Sequence, residues 1–157
     1  MVAEYRVLGS ATPRVEGIEK ATGRARYAAD EPITGALWGR VLHSSRPHAR
    51  IVRVDTTAAR ALPGVRALIT GADVGDRLYG RAIKDMPMLA RDLVRYVGER
   101  IAAVAADDEE TARRAIDLIE VEYEDLPVAV EAADALAEGA APLHPDQPHN
   151  LAFDYEY

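Results

Sequence analysis

The sequence changes its hydrophobic period abruptly at residue 119, and this change limits the folds that the chain can adopt. Before it, apolar residues recur at helical spacing and form a single stripe: Ala112, Ala115, Ile116 and Ile119. After it, Val121 and Tyr123 alternate with glutamates, which indicates a strand with one buried face and one solvated face. An amphipathic helix joined directly to such a strand favours helices packed on an antiparallel or mixed sheet. We therefore predict an α+β fold.

The other elements are predicted from apolar runs and from the residues that interrupt them. Asp107 and Glu110 have capping-box spacing and mark the start of the main helix. Strands are expected near Tyr27 and over 36–43, 50–54 and 65–70, and brief helices over 56–62, with Asp55 as N-cap, and over 131–136. Residues 71–87 are expected to form a loop. Residues 93–106 resemble two extended segments joined at Gly98, where we expect the sheet to bend.

The length of 157 residues suits one domain, and we predict a single domain over residues 1–157. Residues 1–13 are expected to form an irregular opening segment, and residues 139–157 an extended, proline-rich C-terminal strap. Many links between strands have hairpin length, which favours antiparallel pairing.

Composition excludes several classes of function. The net charge is −7 and the basic residues are scattered, so neither nucleic acid nor an anionic membrane is an expected partner. The absence of cysteine rules out disulfides, thiolate zinc sites and cysteine-ligated iron–sulfur clusters within this chain. The start is too polar for a signal peptide, and no apolar run approaches the roughly 18 residues of a membrane span. We predict a cytoplasmic protein.

The four histidines raise the possibility of a metal site. His43 and His48 flank a Ser-Ser-Arg-Pro break, and His144 and His149 lie in the C-terminal strap. A pair from each region could meet in space, but neither H-x-x-x-H nor H-E-x-x-H occurs. The favoured interpretation is that they are ordinary surface or interface residues, and no metal-binding residue is predicted.

Two further features could carry chemistry. Glu120, Glu122 and Glu124 point three carboxylates to one side of a strand, which would suit a divalent cation or acid–base catalysis. The simpler interpretation is a solvated strand face that discourages edge pairing. Lys84, in the loop sequence Ile-Lys-Asp-Met, resembles the modified lysine of a carrier domain, but an ordinary loop lysine is favoured. From spacing alone, no catalytic site is predicted.

Several short motifs occur along the chain in one order. Residues 14–30 contain Gly17, Lys20, Thr22, Gly23, Ala25, Tyr27 and Asp30; there follow the segments 46–51, 61–65, 94–99, 101–104, 120–127 and 150–153. Together, over about residues 8–157, they resemble the N-terminal α/β hammerhead domain of molybdenum-binding large subunits. The family is that of xanthine dehydrogenase, aldehyde oxidase and carbon monoxide dehydrogenase.

The resemblance implies a fold and a parent enzyme. The fold would be a bent, mixed or antiparallel sheet with two main helices packed on it. The parent would be an oxidoreductase, a molybdenum hydroxylase that acts on an aldehyde, an electron-poor heterocycle, carbon monoxide or an aromatic thioester. Its molybdenum would be held by a molybdopterin dinucleotide, with 2Fe-2S clusters and FAD on partner subunits or domains. In the family the catalytic and pterin-binding residues lie in later domains, so this chain alone is predicted to be inactive, without cofactor or catalytic residues.

The resemblance also implies partners, namely the remaining molybdenum-binding domains, an iron–sulfur subunit and a flavin subunit. Arg95 and Tyr96 either anchor such an interface or are structural, with Tyr96 in the core and Arg95 on a solvated strand face. Two alternatives remain open for the function. One is a free-standing binding module that reuses the hammerhead fold without a redox role. The other is a carboxylate-based enzyme centred on Glu120, Glu122 and Glu124.

Overall fold

The structure is a computed structural model that describes residues 9, 11–81, 83–144, 146, 147 and 149–154. The chain divides into two compact units, residues 1–36 and residues 37–157. The prediction that residues 1–157 form a single domain stays a prediction. Most of the predicted opening segment, together with residues 145, 148 and 155–157 of the strap, lies outside the described residues.

The described residues of the first unit contain one short α-helix, α1 (Gly17–Ala21), and a 3₁₀ turn, Ala28–Asp30. The strand predicted near Tyr27 is wrong. The Asp30 carboxylate accepts the Tyr27 backbone N–H at 2.8 Å, and the Asp30 N–H donates to the Tyr27 carbonyl at 2.9 Å. This pair of bonds closes a turn where the sequence pattern indicates an extended chain.

The second unit contains eight strands and four helices among its described residues. In chain order they are β1 (Trp38–His43), β2 (Ala49–Asp55), α2 (Thr57–Ala61), β3 (Val65–Thr70), α3 (Gly71–Val74), β4 (Leu78–Tyr79), β5 (Met86–Pro87), β6 (Leu93–Val94), β7 (Arg100–Ala106), α4 (Glu109–Asp117), β8 (Glu120–Asp125) and α5 (Ala132–Leu136). The predicted loop over residues 71–87 therefore holds one helical turn and a two-stranded ribbon. None of the described helices has the length and apolarity that crossing a membrane requires.

All strand pairs among the described residues are antiparallel, which confirms the predicted sheet type, but only the β4–β5 pair joins consecutive strands. Two three-stranded sheets have the orders β1-β7-β3 and β6-β2-β8, and β4 pairs with β5. In neither three-stranded sheet are two consecutive strands neighbours. The expectation that short links mark hairpins is wrong for these sheets, because each link carries the chain to a different sheet or past a helix.

Helix α4 packs on one face of the β1-β7-β3 sheet, and the first core cluster lies at this contact. Its buried members are Ala59, Leu68, Ala102, Val104, Ala115 and Ile119. The predicted helix is confirmed, but its N-cap is Asp108 rather than Asp107. The Asp108 carboxylate accepts the Thr111 backbone N–H at 2.8 Å and the Thr111 hydroxyl at 2.8 Å. Asp107 instead forms a bidentate ion pair with Arg66, at 2.7 Å for both bonds.

A second core cluster lies against the β6-β2-β8 sheet and contains Ala49, Ile51, Ala90, Val94 and Ile101. Half-buried Leu42, Val54 and Val121 pack against both clusters and join them. The chain passes from the second sheet to the first between β6 and β7, at Gly98, whose φ is +96°. The predicted bend of one sheet at Gly98 is wrong, because β6 and β7 belong to different sheets and Gly98 lies in the turn that joins them. Its left-handed conformation favours glycine. Its N–H donates to the Ser44 carbonyl at 2.8 Å.

Candidate functional site

A cavity of about 410 Å³ lies beneath the C-terminal strap in the second unit. Its volume is within the range of small-molecule sites. The strap and α5 form one wall, and residues 83–85, Arg95 and the segment after β8 form the others. Its charged or ionisable lining residues are His48, Lys84, Asp85, Arg95, His144 and Asp146. The described lining residues include no serine, threonine, tyrosine or cysteine.

The strap is held over the cavity by the side chain of Asn150. Its Oδ1 accepts the Leu143 N–H at 2.7 Å, while its Nδ2 donates to the carbonyls of Ala135 at 3.0 Å and Ala141 at 3.1 Å. One amide thus ties α5 to two points of the strap. Asn150 itself has φ +54°, a left-handed conformation that asparagine tolerates better than most residues. Short polar side chains of this kind often replace regular structure in a loop.

The structure brings two of the four histidines to the cavity. His48 is buried, and its Nδ1 lies 2.7 Å from the Pro127 carbonyl, so this ring fixes the turn after β8. His144 lies across the cavity with Nε2 3.6 Å from an Asp85 carboxylate oxygen. His43 and His149 are exposed. In the part of the chain that the structure describes, no three histidine or carboxylate side chains meet in a group able to hold a metal ion.

Beside the cavity, Arg95 and Glu99 form a mostly buried ion pair. Their side chains are 21% and 6% exposed, and Arg95 Nη1 lies 3.6 Å from Glu99 Oε1. The Glu99 carboxylate also accepts the Arg95 backbone N–H at 2.5 Å. Both structural expectations for this segment are wrong: Arg95 is not on a solvated face, and Tyr96 is 48% exposed rather than in the core. The Arg95 side chain lies against the buried Glu99 carboxylate, and Tyr96 lies at the surface.

Burial raises the pKa of the Glu99 carboxyl above its ordinary value of 4.5, although the Arg95 N–H and guanidinium act in the opposite direction. A folded-state pKa above the unfolded value means that the folded state holds the proton more tightly. The contribution of Glu99 to stability is therefore complete below pH 4.5 and is lost as the pH rises through the raised pKa.

Glu99→Gln is expected to remove this part of the pH dependence. The free energy of unfolding of the variant, measured by urea denaturation, should rise relative to that of the native chain as the pH increases above 4.5. Glu110→Gln is the matched control. Glu110 is exposed, and Arg113 lowers its pKa below 4.5. Its contribution to stability therefore changes only below pH 4.5. Above that pH, the difference in the free energy of unfolding between Glu110→Gln and the native chain should not depend on pH. Parallel curves for Glu99→Gln and the native chain would contradict the assignment.

The three glutamates of β8 lie opposite β2, away from the cavity. Glu124 pairs with Arg50 at 3.2 Å, Glu122 pairs with Arg53 at 3.8 Å, and Glu120 faces Asp55 across the sheet. All three carboxylates are exposed. This arrangement fits the simpler interpretation, a solvated strand face whose charges are partly balanced by the neighbouring strand.

Sequence reasoning missed Glu99 and Asn150, the two residues that organise the cavity. One feature of the sequence does point to Glu99: it is the single carboxylate between the apolar segments at residues 93–97 and 101–106. Asn150 had a weaker signal, because an asparagine after a proline-rich stretch is suited to a left-handed turn. Neither signal specifies a partner, since the partners lie in other segments.

Residues 22–127 match the family model described as "Aldehyde oxidase and xanthine dehydrogenase, a/b hammerhead domain". The match covers well over half of the chain. The chain belongs to this family. As a hammerhead domain of the aldehyde oxidase and xanthine dehydrogenase family, it is of the kind found in the large subunits of molybdenum hydroxylases. The α+β fold predicted from the sequence is confirmed.

Individual relatives agree with this assignment. The hammerhead domain is 46% identical over 134 residues to a probable xanthine dehydrogenase subunit of Bacillus subtilis, which covers 85% of the chain and 18% of that protein. It is 40% identical to a nicotinate dehydrogenase large molybdopterin subunit of Eubacterium barkeri, over 93% of the chain and 35% of that protein. Among solved structures it resembles CO dehydrogenase from Oligotropha carboxidovorans, with a TM-score of 0.76 and 38% sequence identity. This match covers 84% of the chain and 17% of the CO dehydrogenase chain. The chain thus spans between a sixth and about a third of these relatives.

Proposed function

We propose that this hammerhead domain is a structural and assembly module of a molybdenum hydroxylase large subunit, without catalytic groups of its own. The observation that carries the proposal is that several side chains that could react have partners within the fold. His48 fixes a turn, Glu99 pairs with Arg95, and Glu122 pairs with Arg53. The xanthine dehydrogenase and nicotinate dehydrogenase relatives extend far beyond the matched region, which leaves room there for the reaction centre.

The cofactors are proposed to lie outside this chain. Iron–sulfur clusters of the 2Fe-2S type are held mainly by cysteine thiolates, and the sequence has none. We assign the molybdopterin dinucleotide to the remaining domains of the large subunit, and the clusters and FAD to partner subunits or domains. The oxidation chemistry belongs to those groups, while this domain contributes position. The proposed location is the cytoplasm.

The exposed residues beside the Arg95–Glu99 pair are proposed to contact the iron–sulfur partner. Tyr96 and Val97 project from the loop between β6 and β7, and tyrosine is enriched at protein interfaces. Arg95 cannot report on that contact, because a charge reversal there would leave Glu99 buried against a like charge and disturb the fold. Substitutions at Tyr96 are the appropriate probe.

The test is the length and molybdenum content of the natural polypeptide, purified from the source cell with its partners and measured by mass spectrometry. A polypeptide much longer than 157 residues that contains molybdenum supports the proposal. A product of 157 residues without molybdenum and without partners would contradict it. That outcome would favour a free-standing binding module, for which the cavity of about 410 Å³ is the specific evidence.

A further inference from the structure

The two three-stranded sheets present opposite kinds of outer surface. The outer surface of the β6-β2-β8 sheet carries the arginines of β2 beside the carboxylates of β8. That of the β1-β7-β3 sheet carries no charged or polar side chain over two consecutive rows. The rows are Gly39, Ala105 and Ala67, and Val41, Ala103 and Ile69, each aligned across the three strands. We call these six residues the apolar face.

The apolar face lies on the side of the sheet away from α4. Its rows alternate with the row of Leu68, Val104 and Arg40, whose Leu68 and Val104 belong to the core cluster beneath that helix. Val41 is 36% exposed and Ile69 is 39% exposed. Gly39 and Ala67 are also exposed, and the two alanines of β7 are half-buried.

The composition of β7 is typical of a strand that is covered on both sides. After Arg100 it contains only apolar residues, Ile101 to Ala106, without the polar alternation of a sheet that is open to water on one side. The β8 strand shows that this chain does use such alternation where a sheet face is solvated. One side of β7 is covered by α4, so its sequence indicates a second cover on the other side.

We propose that the apolar face is the surface on which the remaining domains of the large-subunit polypeptide pack. This inference rests on the proposed function. The matched region is 18% of the Bacillus subtilis relative, so such a polypeptide has ample further chain to supply the cover. Glycine and alanine are small enough to allow close approach of another backbone. The face offers no partner for a buried charge, so its occupant must itself be apolar there.

Cysteine labelling of the natural polypeptide tests the inference directly. This chain has no cysteine of its own, so Ala67→Cys places one thiol on the apolar face, and Ala58→Cys places one on α2 as a matched exposed alanine. Each variant is treated with N-ethylmaleimide, and modification of the corresponding peptide is followed by mass spectrometry. A parallel reaction in guanidinium gives the rate for full exposure. We expect position 67 to react at least about tenfold more slowly than position 58, because thiol reactivity requires access.

Equal labelling at the two positions in a long, molybdenum-containing polypeptide would overturn the inference and leave the proposed function intact. Protection that disappears on dilution would also overturn it, because it would identify a second copy as the occupant. A natural product of 157 residues without molybdenum would overturn both proposals.

Ile69→Lys provides a second test of the inference, and Val52→Lys is its control, at an exposed position on the β6-β2-β8 sheet. We expect at least a severalfold loss of molybdenum-containing polypeptide for Ile69→Lys alone, and equal yields would count against the inference.

Discussion

Asn150→Ala is expected to release the C-terminal strap while both three-stranded sheets stay folded. The substitution removes three hydrogen bonds that join the strap to α5 and to itself. It also places alanine at φ +54°, a conformation that asparagine tolerates and alanine does not. At about 1 kcal/mol for each bond, the local closing of the strap should weaken by about 3 kcal/mol, or more than a hundredfold. None of these partners belongs to either core cluster, so the sheets are unaffected.

Hydrogen exchange at the Leu143 amide measures this effect, because that N–H donates directly to Asn150 Oδ1. Its exchange should accelerate strongly in the alanine variant, while the amide of Val104 in β7 exchanges as before. Asn150→Gly is the matched control, since glycine accepts the left-handed backbone but lacks the amide. Asn150→Gly should therefore show most of the acceleration of exchange at the Leu143 amide. Unchanged exchange at Leu143 in both variants would show that Asn150 does not hold the strap.

Gly71→Ala is expected to destabilise the second unit by about 3 kcal/mol or more, since the added methyl group would overlap backbone that lies in the core. A Cβ at this position would lie 2.5 Å from the Ala90 carbonyl oxygen and 2.7 Å from Arg91 Cα. Neither atom belongs to a flexible side chain that could turn away. Relief requires the segment at residues 90–91 to move, and buried Ala90 would then leave the second core cluster.

The urea midpoint of the 157-residue chain checks this prediction, with Gly39→Ala as the control. Gly39 also belongs to the second unit, but a Cβ there meets nothing nearer than the Val104 carbonyl at 4.0 Å. Its substitution should change stability by less than about 1 kcal/mol, because a strand alanine loses less conformational entropy than glycine on folding. Equal midpoints for the two variants would show that the close approach at Gly71 is not maintained in solution.

Local patterns predicted the elements well where neighbours in sequence are also neighbours in space. The stripe of α4 and the alternation of β8 both describe a side that faces the core, and the structure confirms them. The cap was displaced by one residue because Arg66, which is 41 positions away, holds Asp107. Periodicity carries no information on such a partner.

The sheet order and the cavity could not be predicted for the same physical reason. The pairing of β1 and β3 with β7 joins segments that are distant in the sequence, and short links in between suggest hairpins that do not form. The requirement for glycine at position 71 comes from Ala90, and buried Glu99 accepts the N–H of the distant Ser44 at its backbone carbonyl. Motif order, in contrast, indicated the family correctly because it samples the whole chain.

The order of strands in the sheets has a consequence for synthesis of the chain. On the ribosome, β1 and β3 have no strand to pair with until β7 has emerged. Most residues of β2 likewise have no pairing partner until β8 has emerged. At roughly 5–20 residues per second, the delay between β1 and β7 lasts several seconds. During that time, apolar segments such as residues 65–70 remain unpaired and available to chaperones. The emergence of β7 therefore sets the earliest time at which the β1-β7-β3 sheet can form.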